Sequence, residues 1–137
     1  MVRRDATPAT QGAVVVRRLG AAGAVIVGKT NMAEFAFSGV GVNPHYGTPG
    51  NADDVTRIPG GSSSGAGVSA GRGLVEIAIG SDTGGSVRIP SPPDGLVGFK
   101  PTPTRVSRDG AYPVAYPPAT LGPPSPTVSA RARPAAR

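Results

Sequence analysis

Two short serine-bearing glycine runs hold the residues of this chain that are best suited to chemistry. They are Gly60-Gly61-Ser62-Ser63-Ser64-Gly65 and Asp82-Thr83-Gly84-Gly85-Ser86. Glycine lets main-chain N–H groups approach a reacting atom, and a serine hydroxyl beside them can attack a carbonyl carbon. The same N–H groups can hold the negative charge that then develops on the carbonyl oxygen. The layout is that of a nucleophilic serine site built without histidine. The single histidine, His45, precedes both runs, and the first 61 residues contain no evident partner base. Ala66 to Ser81 separates the runs, with room for one helix and one strand, so the fold must bring the serines together.

The elements that would do this can be read along the chain. Residues 12–20 put Ala13, Val16 and Leu19 at helical spacing, with Gly20 and Gly23 as stop residues. Ala24-Val25-Ile26-Val27 is uniformly apolar, as a strand buried on both faces would be. Asn31 and Glu34 match a capping pair, which predicts a second helix from Met32 to Phe37. From Ser38 to Pro59 turn residues dominate without periodicity, which predicts a long ordered loop or a wall of the site. Gly65 to Gly71 reads as a short helix, Leu74 to Ile79 as a strand, and Gly95 to Phe99 as a last strand. Helices alternating with strands predict an α/β architecture. Residues 1–109 are the one predicted domain, and residues 110–137 a Pro/Arg/Ala-rich tail expected to be irregular.

Composition narrows the function classes. Nine of the 16 prolines follow Lys100, whereas the glycines crowd between Gly20 and Gly98, so the middle of the chain is the loop-rich functional part. The net charge of +6 invites a nucleic-acid reading, but its distribution argues against one. Residues 1–100 carry nine Lys/Arg against seven Asp/Glu, and the tail carries five Arg against one Asp. No basic helix with interleaved aromatics results, so no nucleic acid is expected as a partner. The absence of cysteine excludes disulfides and thiolate metal sites, and one histidine cannot build a metal site alone. No apolar stretch approaches the length of a membrane span and the start lacks a secretory apolar run, so a cytoplasmic protein off the membrane is expected.

Two familiar motifs match in form only. Gly23 to Thr30 fits G-x-x-x-x-G-K-[ST], yet its variable positions are Ala24 to Val27. Those residues favour a strand, whose N–H groups would go to sheet neighbours rather than to phosphate. Gly61-Ser62-Ser63-Ser64-Gly65 fits G-x-S-x-G, but Arg57-Ile58-Pro59 is no buried strand and no histidine follows.

The continuous run from Gly60 to Ser91 strongly resembles the amidase signature family. The flanks agree: Gly28-Lys29-Thr30-Asn31-Met32-Ala33-Glu34-Phe35 upstream and Gly95-Leu96-Val97-Gly98-Phe99-Lys100-Pro101-Thr102 downstream. The resemblance covers residues 13–109, and more weakly Gly110 to Val128, with an echo at Thr120-Leu121-Gly122-Pro123. It implies part of an α/β fold with a mixed sheet and flanking helices, and hydrolysis of carbon–nitrogen (amide) bonds by a Ser–cis-Ser–Lys triad without a cofactor. By position, Ser86 is the implied nucleophile and Ser62 the implied relay, 24 residues earlier, after a cis Gly61–Ser62 bond. Thr83, Gly84, Gly85 and Ser86 correspond to the oxyanion loop, Ser63 to a supporting partner, and Asp82 and Arg88 to an opposite-charge pair that braces the loop.

A lysine kept neutral by desolvation can take the proton that Ser62 relays. The family's lysine lies further upstream of the relay serine than 61 residues, and Lys29 and Lys100 occupy other positions. The resemblance therefore implies a truncated member with two of three triad residues, and losing a general base costs about a factor of 10²–10⁴. Pro93-Asp94 stands where relatives carry small or apolar residues, which puts a charge near the last strand. The expected substrate is a small amide, either free or within a transamidating complex. The alternative is a non-catalytic fragment that acts only through a partner chain or not at all. A sheet lacking its neighbours would expose apolar surface for that partner or for self-association.

Overall fold

The computed structural model describes residues 6–112 and 119–129. Among the described residues, helices α1 (Val14–Ala21) and α2 (Ser64–Gly71) and two 3-10 turns, Glu34–Ala36 and Pro92–Asp94, accompany four short strands. These are β1 (Gly80–Asp82), β2 (Val97–Gly98), β3 (Thr120–Gly122) and β4 (Pro124–Ser125). β1 pairs antiparallel with β3, Gly80 opposite Gly122 and Asp82 opposite Thr120. β2 pairs antiparallel with β4, Val97 opposite Ser125. The result is a small α/β unit with two antiparallel ladders, a part of the larger sheet that the resemblance implies.

Helix α2 organises the centre. Its sequence, Ser-Gly-Ala-Gly-Val-Ser-Ala-Gly, is poor in helix formers, since each interior glycine costs about 0.5–1 kcal/mol relative to alanine. Packing offsets that cost. Ser64, Ala66, Gly67, Val68 and Ala70 are all buried, and Ala66 and Ala70 form a core with Ala78 and Leu96, against which Val75 packs. A Cβ at Gly67 would lie 2.6 Å from Asp94 Oδ2, so the small residues let the Pro92–Asp94 turn seat directly on the helix.

Asp94 is buried there. Its Oδ1 accepts from Asn51 Nδ2 (2.9 Å) and from the Ala52 N–H (2.8 Å), while Oδ2 has no partner among the described residues. Burial pushes its carboxyl above the ordinary aspartate range, and the nearby Asp53 charge adds to this, against the Ala52 hydrogen bond and Arg72. A raised acid destabilises the fold at neutral pH, and the penalty disappears as pH falls below the ordinary value. Asp94→Asn is therefore expected to raise Tm at pH 7 by a few degrees, about 1 kcal/mol, and to change little at acid pH. Thermal melts of both proteins at the two pH values check the sign.

Several elements differ from their sequence-based expectation. Ala24–Val27 is no buried strand: Val25, Ile26 and Val27 are exposed, and no described segment pairs with them. The helix expected over Met32–Phe37 is reduced to one 3-10 turn, because Phe35 and Ala36 take φ of +53° and +54°, in the left-handed region. Asn31 does not cap it, since its side chain donates to the Gly47 carbonyl. The strand expected at Leu74–Ile79 lies later, at Gly80–Asp82, where β3 supplies a ladder. The tail, expected to be irregular, contributes β3 and β4. Its residues 113–118 and 130–137 lie outside the described residues. The loop from Ser38 to Pro59 has neither strand nor α-helix, as its turn residues predict. Among the described residues no helix is long and apolar enough to cross a membrane.

Candidate active site

The Gly60–Ser64 segment enters α2 with its backbone gripped on several sides. Gly61 N–H donates to the Gly39 carbonyl (2.8 Å), Ala33 N–H to the Ser62 carbonyl (2.9 Å), and Gly65 N–H to the Asn31 carbonyl (2.9 Å). A Cβ at Gly61 would lie 2.6 Å from Gly41 Cα, so this approach of two backbones needs glycine. The Gly61–Ser62 peptide bond is cis. Ser62 is fully buried, and its hydroxyl has no hydrogen-bond partner among the described residues.

Ser63 joins the two runs. Its N–H donates to the Ser86 carbonyl (3.2 Å), and its hydroxyl accepts from Ser81 N–H (3.1 Å) and donates to the Ser81 carbonyl (3.3 Å). The support expected of Ser63 therefore takes the form of a clamp between the α2 entrance and β1.

Asp82, at the end of β1, organises the second run. Its fully buried carboxylate accepts from the N–H groups of Gly85 (2.9 Å), Val87 (3.2 Å) and Arg88 (3.3 Å). Arg88 Nε and Nη2 add two bonds of 2.9 Å each. Burial pushes the Asp82 carboxyl up, but the Arg88 guanidinium and the Val87 and Arg88 N–H groups outweigh it and hold it below the ordinary range. Asp82 and Arg88 thus brace the loop they flank. Gly85, at φ +133°, makes the bend that lets its own N–H turn inward.

One consequence could not be read from residue types. The Gly85 N–H is taken by Asp82, whereas those of Thr83, Gly84 and Ser86 have no acceptor among the described residues. Gly84 is exposed, and Thr83 and Ser86 are half-buried, so a ligand can reach this stretch.

Within the Ser38–Pro59 loop, Asn43 is a fixed point that residue types did not single out. Buried Asn43 donates to the Met32 carbonyl (2.7 Å) and accepts from the N–H groups of His45 (2.8 Å) and Tyr46 (3.0 Å). It thereby ties the long loop to the strip whose Ala33 grips Ser62. The Asn-Pro pair at 43–44 was the available signal, since asparagine before proline favours turns. His45 Nε2 lies 3.1 Å from Glu34 Oε2. Lys29 is exposed and Lys100 half-buried. A hollow of about 480 Å³ between Asn51, Asp53, Asp54, Arg57, Ile58 and Pro93 has neither serine run in its wall.

The chain is similar to known proteins over most of its length. The family described as Amidase matches residues 3–133. AtzE, the 1-carboxybiuret hydrolase component of Pseudomonas sp. (strain ADP), is 47% identical over 122 residues, which are 89% of this chain and 27% of that protein. A glutamyl-tRNA(Gln) amidotransferase component of Streptococcus pneumoniae (strain Hungary19A-6) is 47% identical over 110 residues, 80% of this chain and 22% of that protein. A solved structure described as a vestigial protein complex that reveals the evolutionary origins of an s-triazine catabolic enzyme superposes with a TM-score of 0.95. It is 44% identical, over 98% of this chain and 29% of that chain. The chain thus spans about a quarter of the length of the curated relatives it matches. With a family match along nearly its whole length and a superposable backbone, the chain belongs to the amidase family.

Proposed function

We propose that the chain carries the reacting part of an amide-hydrolysing site, with Ser86 as nucleophile and Ser62 as proton relay. The observation that carries this reading is the Ser63 N–H bond to the Ser86 carbonyl. It couples the two serine runs next to a buried Ser62 hydroxyl that lacks a partner among the described residues. A buried hydroxyl left unpaired costs about 1–3 kcal/mol, so the fold holds Ser62 at some expense. Proton relay is a use that accounts for it.

The steps follow from the groups present. Ser86 Oγ attacks the amide carbonyl carbon and passes its proton to Ser62 Oγ, which gives its own to a base. The oxyanion of the tetrahedral intermediate takes the unengaged N–H groups of Thr83, Gly84 and Ser86. The proton returns to the nitrogen, the C–N bond breaks, and ammonia or an amine leaves the acyl-serine. Water then attacks the acyl carbon and frees the acid. Asp82 and Arg88 hold the donor loop in place. The base is a lysine from polypeptide outside the serine runs, because exposed Lys29 and half-buried Lys100 occupy other positions of the family pattern. The substrate is a small amide, as the names of the hydrolase and amidotransferase relatives suggest for their own reactions.

Ammonia release from simple primary amides, measured beside a full-length amidase relative, tests this. Because the family resemblance puts the general base outside these residues, the 137 residues assayed alone are expected to turn over about 10²–10⁴-fold more slowly than the relative. Ser86→Ala is expected to bring the remainder to the buffer rate. Hydrolysis that survives Ser86→Ala would reject Ser86 as the nucleophile.

A further inference from the structure

Residues 51–57 fold back on themselves. Asn51 N–H donates to the Arg57 carbonyl (3.1 Å), and Arg57 N–H to the Asp54 carbonyl (3.0 Å). The Asn51 side-chain oxygen accepts from the N–H groups of Asp53 (3.0 Å) and Asp54 (3.1 Å). Among the described residues, four hydrogen bonds tie this closed loop to the rest of the fold, all at Asn51 or Ala52. Three reach the Pro92–Asp94 turn: Asn51 Nδ2 to the Pro93 carbonyl (2.7 Å) and to Asp94 Oδ1, and Ala52 N–H to Asp94 Oδ1. The fourth runs from Arg72 Nη2 to the Asn51 carbonyl (3.1 Å). A loop knitted internally and tethered at one point can move as a unit. The hollow of about 480 Å³ lies between this loop and Pro93, so the loop has room to move and solvent can come close to the tether.

The tether is a carboxyl that the fold satisfies on one side only. Asp94 is 2% exposed, and both bonds it accepts fall on Oδ1, while Oδ2 is buried without a partner among the described residues. A Cβ at Gly67 would come 2.6 Å from Oδ2, and one at Gly71 would come 2.8 Å from Ala52 Cβ. Turn and loop are thus seated together on the glycines of α2. Burial disfavours the charge most; of the charged groups facing Asp94, Asp53 from the loop adds to this and Arg72, next after α2, opposes it. Arg72 Nη2 is itself engaged by the Asn51 carbonyl. Protonated, the carboxyl keeps this seat at small cost. Ionised, it leaves one charged oxygen without a donor, a penalty relieved when the loop lifts and water reaches Oδ2.

We propose that Asp94 is the latch of a pH-operated loop: residues 51–57 stay seated on α2 while its carboxyl is protonated and lift away when it is ionised. This does not rest on the amide chemistry proposed above. The sign follows from burial. Below the ordinary aspartate value the carboxyl is neutral whether the loop is seated or lifted, so the latch is closed there. As pH rises through that value the lifted state ionises first, and the balance moves towards it until the seated carboxyl ionises as well. Through Ile58 and Pro59 the loop leads into Gly60–Ser62, so the latch also sets how firmly the approach to that run is held.

Amide hydrogen exchange followed by NMR on the 137-residue chain tests this, with protection corrected for the pH dependence of the intrinsic rate. At pH 7 the Ala52 N–H is expected to be at least about tenfold less protected than the Gly67 N–H, which is bonded to the Ser63 carbonyl at the start of α2. Dilute urea should leave exchange at Ala52 unchanged and speed it at Gly67, because lifting a loop exposes little surface and unfolding exposes much. Lowering the pH to about 3.5 is expected to raise protection at Ala52 at least about fivefold. In Asp94→Asn that rise should vanish, and in Asp53→Asn, which removes one charge facing the carboxyl, it should shrink. The comparison of Ala52 with Gly67 needs only the parent chain, so it holds even where a variant fails to fold. The latch is overturned if Ala52 shares the protection and urea dependence of Gly67, or if its protection is equal at the two pH values. A rise that persists undiminished in the variants would overturn it equally.

Discussion

Asp82→Ala is expected to destabilise the chain by about 3 kcal/mol and to release the loop from Thr83 to Arg88. Three main-chain N–H groups lose their acceptor, two of them in buried hydrogen bonds. Unpaired buried N–H groups cost about 1–3 kcal/mol each, although water entering the vacated space relieves part of this. Arg88 adds little, because its side chain is half-exposed and such pairs are worth about 0–1 kcal/mol. The pH dependence has a definite sign. Folding holds this carboxyl below its ordinary value, so its contribution is complete above that value and is lost as pH falls through the depressed one. The variant should therefore show both a lower midpoint in urea at pH 7 and a shallower loss of stability on acidification. Equal midpoints for the two proteins at pH 7 would show that the loop does not depend on this carboxylate.

Gly41→Ala is expected to cost about 3 kcal/mol, enough to leave a chain of ordinary marginal stability largely unfolded at 37 °C. Two independent penalties combine. Gly41 has φ of +85°, which costs an alanine about 1–2 kcal/mol. Its Cβ would also overlap the Gly60 carbonyl oxygen and lie 2.9 Å from the carbonyl carbon. Backbone atoms cannot rotate away as a flexible side chain can, so the Gly60–Ser62 run must shift. Gly23→Ala separates the terms, since Gly23 has φ of +90° but nothing within 4 Å of the added atom. It should lose only the conformational part, about 1–2 kcal/mol. Denaturant melts of the two variants, compared directly, test whether the serine run depends on this backbone contact.

The residue types alone carried a good deal. The glycine- and serine-rich run Gly60–Ser91 was recognisable without coordinates as one of the amidase family. The α2 helix was legible at Gly65–Gly71, one residue short of its observed start at Ser64, and the long loop at Ser38–Pro59 as well. Both follow from local composition. The strands did not. Ala24–Val27 has the composition of a strand, but no described segment pairs with it, whereas unpromising Gly80–Asp82 is a strand because β3 lies beside it.

What the sequence determined by itself is therefore the chemistry on offer: two serines, glycine-relieved backbone, an Asp–Arg pair and family membership. Tertiary structure alone decided how those groups are used. It assigned the Gly85 N–H to Asp82, left those of Thr83, Gly84 and Ser86 open, and closed Ser63 on Ser81 and Ser86. It also made Asn43 a brace and left Val25–Val27 exposed. The physical reason is range. Side-chain type and local turn preference act over a few residues, whereas a hydrogen bond or a strand pairing is settled by whichever distant segment arrives within about 3 Å.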